Sequence, residues 1–287
     1  MSYVEVVNKL VKDMKENDVT IHDLIAELNE FSLKGLDDVG KPHICIGMPI
    51  NREVTAESFS SLMMLYSHLN KNYRVSFTTS IATYLHEGRH LIVKNAYEIH
   101  KQVPVDYMLW LDSDMVYTPN DFDVLLRLAK KKDLSFVSGL YFTKRSKACR
   151  PVYMVQYPDG MRLADNYPEN TLLSVDGVGF GFFLCKGQAI FDLYKKYKLK
   201  LFKLENGNDG RMVGEDIVFS RCVKEAGYKL YVYTGVCLGH EGGIISKPHF
   251  HAVNSKEILD KVQWESKSAL KCSEDVVGEK NEGQEKK

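Results

Sequence analysis

The stretch YMLWLDSDMVY, Tyr107 to Tyr117, sets a hard apolar run against two acids one residue apart, Asp112 and Asp114. So greasy a run belongs inside a sheet, where an ionised carboxylate is expensive to keep. Alternate side chains of a strand share a face, so both carboxylates can reach one point. Two carboxylates brought together repel unless a cation or a proton separates them. Oxygen ligands suit Mg²⁺ or Mn²⁺, and such an ion, held by few carboxylates, usually shares its shell with substrate phosphates. A pair of solvated turn acids is the plainer alternative. Two other groups bear on the choice. Glu215 and Asp216 open the segment GEDIVFSRCVKEAG, where a helix dipole stabilises acids whatever their function. His240, in CLGHEGG, follows a strand-like run and precedes two glycines; a lone histidine there is ligand or structure.

These residues need a scaffold, and the periodicity supplies one. HICIGM, RVSFTT, DYMLWL and LSFVSGLYF read as strands, with amphipathic helices in ESFSSLMMLYSHL, GRHLIVKNAYEIH and TPNDFDVLLRLAKK between them. Thr118 caps the last of these, with Pro119 in its first turn and Asp121 near its positive end. Strands and helices that alternate at this length predict an α/β domain with a mostly parallel sheet. In such sheets ligands bind beyond the carboxyl ends of the strands, where Asp112 and Asp114 fall. Further on, RPVYMVQYPDGMRL predicts a hairpin around Pro158, Asp159 and Gly160. GVGFGFFLC reads as a glycine-spaced strand leading into the helix QAIFDLYKKY. GEDIVFSRCVKEAG is a helix closing at Gly227, and YKLYVY is a strand.

We expect three regions. Residues 1–40 form a helical extension, with Val4, Val7, Leu10, Val11 and Met14 on one face and Ile21, Leu24, Ile25 and Leu28 repeating the pattern. Residues 41–265 form the main domain, and 266–287 a polar, disordered tail. The 287 residues carry 38 basic and 38 acidic side chains and no net charge, so no global field draws the chain to nucleic acid or a membrane surface. Six scattered cysteines with no CxxC pair predict free thiols in a reducing compartment. The charged N-terminus is no signal peptide and no apolar run reaches membrane-span length, so a cytoplasmic location is expected.

Taken together, LWLDSDMVYTPNDF, VDGVGFGFFLCKGQAI, GEDIVFSRCVKEAGYKLYV and GHEGG occur in the order seen in GT-A fold glycosyltransferases, and the chain resembles the family 2-like enzymes among them. The resemblance spans roughly residues 43–245. It implies a GT-A nucleotide-diphospho-sugar transferase fold and transfer of a sugar from a nucleotide-diphosphate sugar, UDP-linked in most such enzymes, to an acceptor hydroxyl. It further implies a Mn²⁺ or Mg²⁺ cofactor and inversion at the anomeric carbon. On that basis Asp114 and His240 bind the metal, and Asp112 faces the ribose or the metal's water shell. Asp216 is the general base and Glu215 binds or orients the acceptor. Pro49, Asn51 and Arg52 of GMPINREV lie near the nucleotide. Arg89 lies near the base or the first aspartate; Asn95 is a weaker match that also reads as a polar helix face.

Other readings stay open at this stage. Lys144 and Arg145 either add positive charge near the phosphates or belong to a solvated loop. Tyr141, Phe142, Tyr153, Tyr157 and Phe180 offer rings on which sugars stack their C–H faces, yet they alternate like core strand residues, and core is expected for most. The glycines of GVGFGF do not open a helix directly after a strand, as a dinucleotide fingerprint should, and are expected to let the backbone approach a sugar. DSDMV also fits the DxDx[TV] pattern of haloacid-dehalogenase-like phosphatases, with Asp112 as nucleophile, although that motif usually sits on a domain's first strand. Cys237, His240, His249 and His251 have spacings tolerable for a structural zinc in a non-enzymatic protein.

Overall fold

The computed structural model describes residues 40–50, 54–81, 84–144, 149–157, 160–207, 210, 212–241 and 269–271. The helices expected within 1–39 lie outside the described residues, as do Asn51, Arg52, Arg145, His249, His251 and Cys272.

The first three strands, β1 (His43–Ile50), β2 (Arg74–Ile81) and β3 (Tyr107–Leu111), are linked by helices α1 (Ala56–Asn72) and α2 (Leu85–Gln102). A short strand β4 (Met115–Val116), helix α3 (Pro119–Lys132) and β5 (Phe136–Leu140) follow. Next come the hairpin β6 (Tyr153–Tyr157) and β7 (Gly160–Leu163), then β8 (Thr171–Val175), β9 (Gly177–Val178) and β10 (Phe182–Lys186). Helix α4 (Gly187–Tyr197) runs into a 3-10 turn at Lys198–Phe202, followed by the small pair β11 (Glu205–Asn206) and β12 (Met212–Val213). Helix α5 (Glu215–Glu225), β13 (Leu230–Cys237), β14 (Gly239–His240) and β15 (Ala269–Lys271) complete the described chain.

Eight strands form one mixed sheet in the order β15-β8-β13-β5-β10-β3-β1-β2. All but β8 and β10 run in one direction, which makes the sheet mostly parallel, as the alternating pattern predicts. Strand β15 lies inside the 266–287 stretch that the sequence reading set apart as a tail.

The continuous greasiness of β3 follows from its place inside this sheet, between β10 and β1. Met108 and Trp110 enter the core on one face, with Phe180, Phe183 and Phe219; Leu109 and Leu111 enter the other, with Phe122 and Phe182. Both faces are covered by helices, so neither can be polar. Trp110 is fully buried and meets Phe180 edge to face at 5.3 Å. Truncating it to alanine would cost about 3–5 kcal/mol.

Helix starts follow the sequence signals. Thr55 caps α1 by accepting from Ser58 N–H at 3.3 Å. At α3 the Asp121 carboxylate accepts from the Thr118 N–H at 2.7 Å and hydroxyl at 2.8 Å, with Pro119 at the first helical position. Gly227 follows the end of α5 with φ +84, a left-handed conformation that residues with a Cβ adopt at a cost.

One element differs from the sequence reading. GVGFGFFLC is not a single strand: β9 ends at Val178 and β10 begins at Phe182, with Gly179, Phe180 and Gly181 turning between them. The five described cysteines carry free thiols; Cys45, Cys149, Cys185 and Cys222 are buried. No helix among the described residues is long and apolar enough to cross a membrane.

Candidate functional site

Strand β3 stops at Leu111, so Asp112 and Asp114 do not alternate along a strand as expected. They flank a turn that the Met115 N–H closes onto the Asp112 carbonyl at 3.4 Å. The Thr55 N–H, just ahead of α1, donates to the Ser113 carbonyl at 3.2 Å and ties this turn to the chain leaving β1. A turn still lets two acids converge, but by its own geometry and not by the two-residue period of a strand.

Three distant segments complete the site. The first is α2, whose second turn buries Arg89 to 3% exposure beneath the sheet's end. Its Nη2 donates to Asp112 Oδ1 at 3.1 Å and its Nε to Glu215 Oε1 at 3.1 Å, while the guanidinium carbon lies 4.2 Å from the Phe180 ring centre. A planar fork with two carboxylates on its donors and an aromatic face beneath is an arrangement that arginine can make and lysine cannot. Arg89 thus stands beside the first aspartate, one of the two places expected for it, and also reaches the acids of α5.

The second segment is α5 itself. Glu215 and Asp216 form its first turn, where the unpaired backbone N–H groups favour negative charge. They differ in surroundings. Glu215 is fastened to Arg89. Among the described residues no side-chain cation forms an ion pair with Asp216; Oδ1 accepts from the Ile217 N–H at 2.8 Å. Burial, and then the Glu215 charge, raise the Asp216 carboxyl above the ordinary carboxylate range.

The third segment is β14, which pairs antiparallel with β4 and sets His240 opposite Met115. His240 Nδ1 lies 2.7 Å from the Phe142 carbonyl, to which it can only donate. In the neutral ring the lone pair is therefore on Nε2, which lies 3.6 Å from Asp114 Oδ1. A lone pair facing a carboxylate is an arrangement that a cation between them relieves.

Charge around the acid pair is uneven. Burial raises Asp112 above the usual range, and Arg89 offsets this only in part. Burial would raise Asp114 too, but the neighbouring His240 ring and the Lys144 ammonium outweigh it and hold that carboxyl below its ordinary value. The Lys144 ammonium rests on Asp114 Oδ2, which places Lys144 at the site, whereas Arg145 lies outside the described residues. Asp114 Oδ1 is shielded from solvent and has no hydrogen-bond partner.

Among the described residues no three His, Cys, Asp or Glu side chains converge as a metal cluster. Asp114 and His240 nevertheless provide one oxygen-rich and one imidazole ligand, a set that suits Mn²⁺ when phosphate oxygens complete the shell. The four-ligand zinc reading has Cys237 and His240 within the described residues, with His249 and His251 outside them.

Pro49 is buried near the end of β1, at the same end of the sheet; its neighbours Asn51 and Arg52 lie outside the described residues. Asn95 is exposed on α2, on the polar helix face that was its alternative reading.

Two residues near the centre carried no such signal in sequence. Tyr141 is buried and its hydroxyl accepts from the Gly181 N–H at 3.1 Å, while its ring meets that of His240 edge on at 5.4 Å. A Cβ at Gly179 would lie 2.0 Å from the Tyr141 hydroxyl and one at Gly181 2.8 Å from the ring. Gly179 and Gly181 of GVGFGF therefore make room for a tyrosine. The other is Glu241, whose N–H donates to the Asp114 carbonyl at 2.8 Å. Burial, then a hydrogen bond shared with Glu57, pushes its carboxyl up to about 7.

No family model and no curated protein sequence matches the chain. Among solved structures it is similar to A197 from STIV, at 16% identity and a TM-score of 0.48, over 69% of this chain and 85% of that one. It is similar to GalNAc-T7 with UDP, GalNAc and Mn²⁺ at 11% identity and 0.47, over 71% of this chain and 44% of that one. A third similarity is to CMP:2-keto-3-deoxy-manno-octonic acid synthetase complexed with CTP, at 9% identity and 0.40, over 69% and 91%.

Proposed function

We propose that the chain is a GT-A-like glycosyltransferase that moves a sugar from a nucleotide-diphosphate sugar, with UDP as the nucleotide, to an acceptor hydroxyl with inversion. The observation that supports this reading is the Arg89 bridge: one buried guanidinium joins Asp112, of the turn that faces a donor, to Glu215, of the helix that faces an acceptor. A transferase needs those two ends at a fixed separation, because attack and departure occur in line across one carbon.

In this reading Asp114 and His240 hold a divalent ion, Mn²⁺ or Mg²⁺, with Asp112 towards the ribose or the ion's water shell. When bound, that ion supplies positive charge to the leaving diphosphate. Lys144 neutralises Asp114 in the absence of the ion and remains at hand for the phosphates. Asp216 takes the acceptor proton. A carboxyl raised by burial is a stronger base than an exposed one, and Arg89, whose hydrogen bonds go to Asp112 and Glu215, offsets that rise only in part. Glu215, held by Arg89, positions the start of α5 and the acceptor beside it. Pro49 lines the nucleotide side.

Thermal unfolding with a panel of nucleotides, with and without Mn²⁺, tests this reading. UDP should raise the midpoint only when the metal is present, by mass action on the folded state. If no nucleotide stabilises the protein in the presence of Mn²⁺ or Mg²⁺, the reading fails.

A further inference from the structure

Beside the Arg89 stripe of α2 runs another, His90, Lys94 and Tyr97, spaced so that the three share one face. This stripe meets Tyr194 and Lys195 of α4 and Lys198 and Leu199 of the 3-10 turn around a cavity of about 370 Å³. Tyr194 forms its wall, with its ring 5.5 Å from Tyr97 and 5.8 Å from His90.

The charges around this cavity do not cancel. Lys195 is paired with Asp192 at 2.6 Å, and Lys101, further along α2, with Glu98. Lys94 and Lys198 have no ion pair among the described residues, and no acid lines the cavity. His90 Nδ1 is shut off from solvent without a hydrogen-bond partner. Leu199 is 73% exposed at the rim. Lys198 also has φ +50 and ψ −126, a backbone conformation costly for any residue with a Cβ and natural for glycine. A lysine is held there against that cost, and the described residues lining the cavity offer its ammonium no anion.

We propose that this cavity is a second ligand site, separate from the Asp112–Asp114 cleft, for a small phosphorylated sugar. The C–H face of the sugar ring would lie on Tyr97 and Tyr194, with the phosphate between Lys94 and Lys198. A few hundred Å³ is the size of small-molecule pockets. Charge-assisted hydrogen bonds from two otherwise unpaired ammonium groups favour a phosphate over a neutral sugar.

Calorimetric titration of the full chain with glucose 1-phosphate, glucose and inorganic phosphate tests the proposal, repeated with saturating UDP and Mn²⁺. Glucose 1-phosphate should bind more tightly than either component, and UDP with Mn²⁺ should not displace it. Lys94→Ala and Tyr194→Ala should each weaken it about ten-fold, whereas Asp114→Asn should leave it unchanged. Lys198→Gly should weaken binding and at the same time raise the unfolding midpoint, a pairing that a purely structural lysine would not show. Equal binding of inorganic phosphate, unaffected by Tyr194→Ala, would mean a diffuse basic surface and overturn the site. Displacement by UDP with Mn²⁺, or loss in Asp114→Asn, would move the binding to the main cleft and overturn it as well. So would the absence of binding at millimolar glucose 1-phosphate.

Discussion

The two ends of the central sheet treat polar groups in opposite ways. At the amino end His43 is 1% exposed, and every polar atom it carries is matched. Its N–H donates to Asp106 at 2.7 Å, Nδ1 meets the Pro104 carbonyl at 3.2 Å, and Nε2 meets the Ser76 hydroxyl at 2.8 Å. Burial lowers its pKa, so it stays a neutral ring. At the carboxyl end Asp114 Oδ1, Arg89 Nη1 and Glu241 Oε2 are shielded yet unmatched, and carboxyls are displaced from their ordinary range in both directions. A polar group buried for the fold's sake is satisfied by the fold. Under the proposed function, the three unmatched atoms at the carboxyl end are the ones that a ligand would complete.

The largest expected effect tests the carboxyl end. Asp216→Asn keeps the bond from the Ile217 N–H but cannot take a proton, so turnover should fall about 10²-fold or more with donor affinity unchanged. The native carboxyl has a raised pKa, so its ionised form is disfavoured in the fold and stability is lost as pH rises through that value. The variant should therefore unfold at a higher temperature than the native chain at neutral pH. A fully active Asp216→Asn beside an inactive Glu215→Gln would reverse the two roles.

Next in size is the metal. Groups that merely support a metal ligand are worth 10–100-fold in affinity, so Asp114→Asn should weaken Mn²⁺-dependent nucleotide binding about 100-fold, and His240→Ala less. Equilibrium dialysis with Mn²⁺ reads both; unchanged affinity in Asp114→Asn would erase the contrast between the two ends.

At the amino end the same tests should move stability and spare chemistry. A Cβ at Gly187 would lie 1.9 Å from the Val105 carbonyl oxygen, against backbone that cannot swing aside. Gly187→Ala should cost about 1–3 kcal/mol in denaturant unfolding, with kcat per folded molecule unchanged. The smallest effect is the pH response of His43. Its folded pKa is lowered from 6.5, so the unfolded chain binds the proton more readily and stability declines as pH falls below that value. His43→Gln should flatten this acid slope in thermal melts between pH 7 and about 5.

What was legible in the sequence divides along the same line. The buried strands and capped helices were, because their signals are local: the apolar run of β3, the Thr118–Asp121 cap, the glycine after α5. The acids of the site were legible as types, and a resemblance in their order grouped them. Their geometry was not. Asp112 and Asp114 lie beyond the strand that was expected to hold them. The glycines at 179 and 181 answer to Tyr141, 40 residues away from Gly181 along the chain. Lys144 could be read as loop or site until its contact with Asp114 was seen, and nothing local marks Glu241 as a partner of Glu57. Contacts of this kind are made by topology, which single-residue chemistry does not encode.

The Arg89 bridge also sets a schedule. Arg89 and Glu215 are 126 residues apart in the chain, and closing so long a loop costs about 4 kcal/mol of entropy. During synthesis the acid turn and α2 are complete long before α5 and β14 emerge. Until then Arg89 lacks Glu215 and Asp114 lacks His240, so both acids of the turn are better off solvated than buried. The nascent chain therefore carries the two acids of the turn before the partners that hold them, Glu215 through Arg89 and His240, have been made.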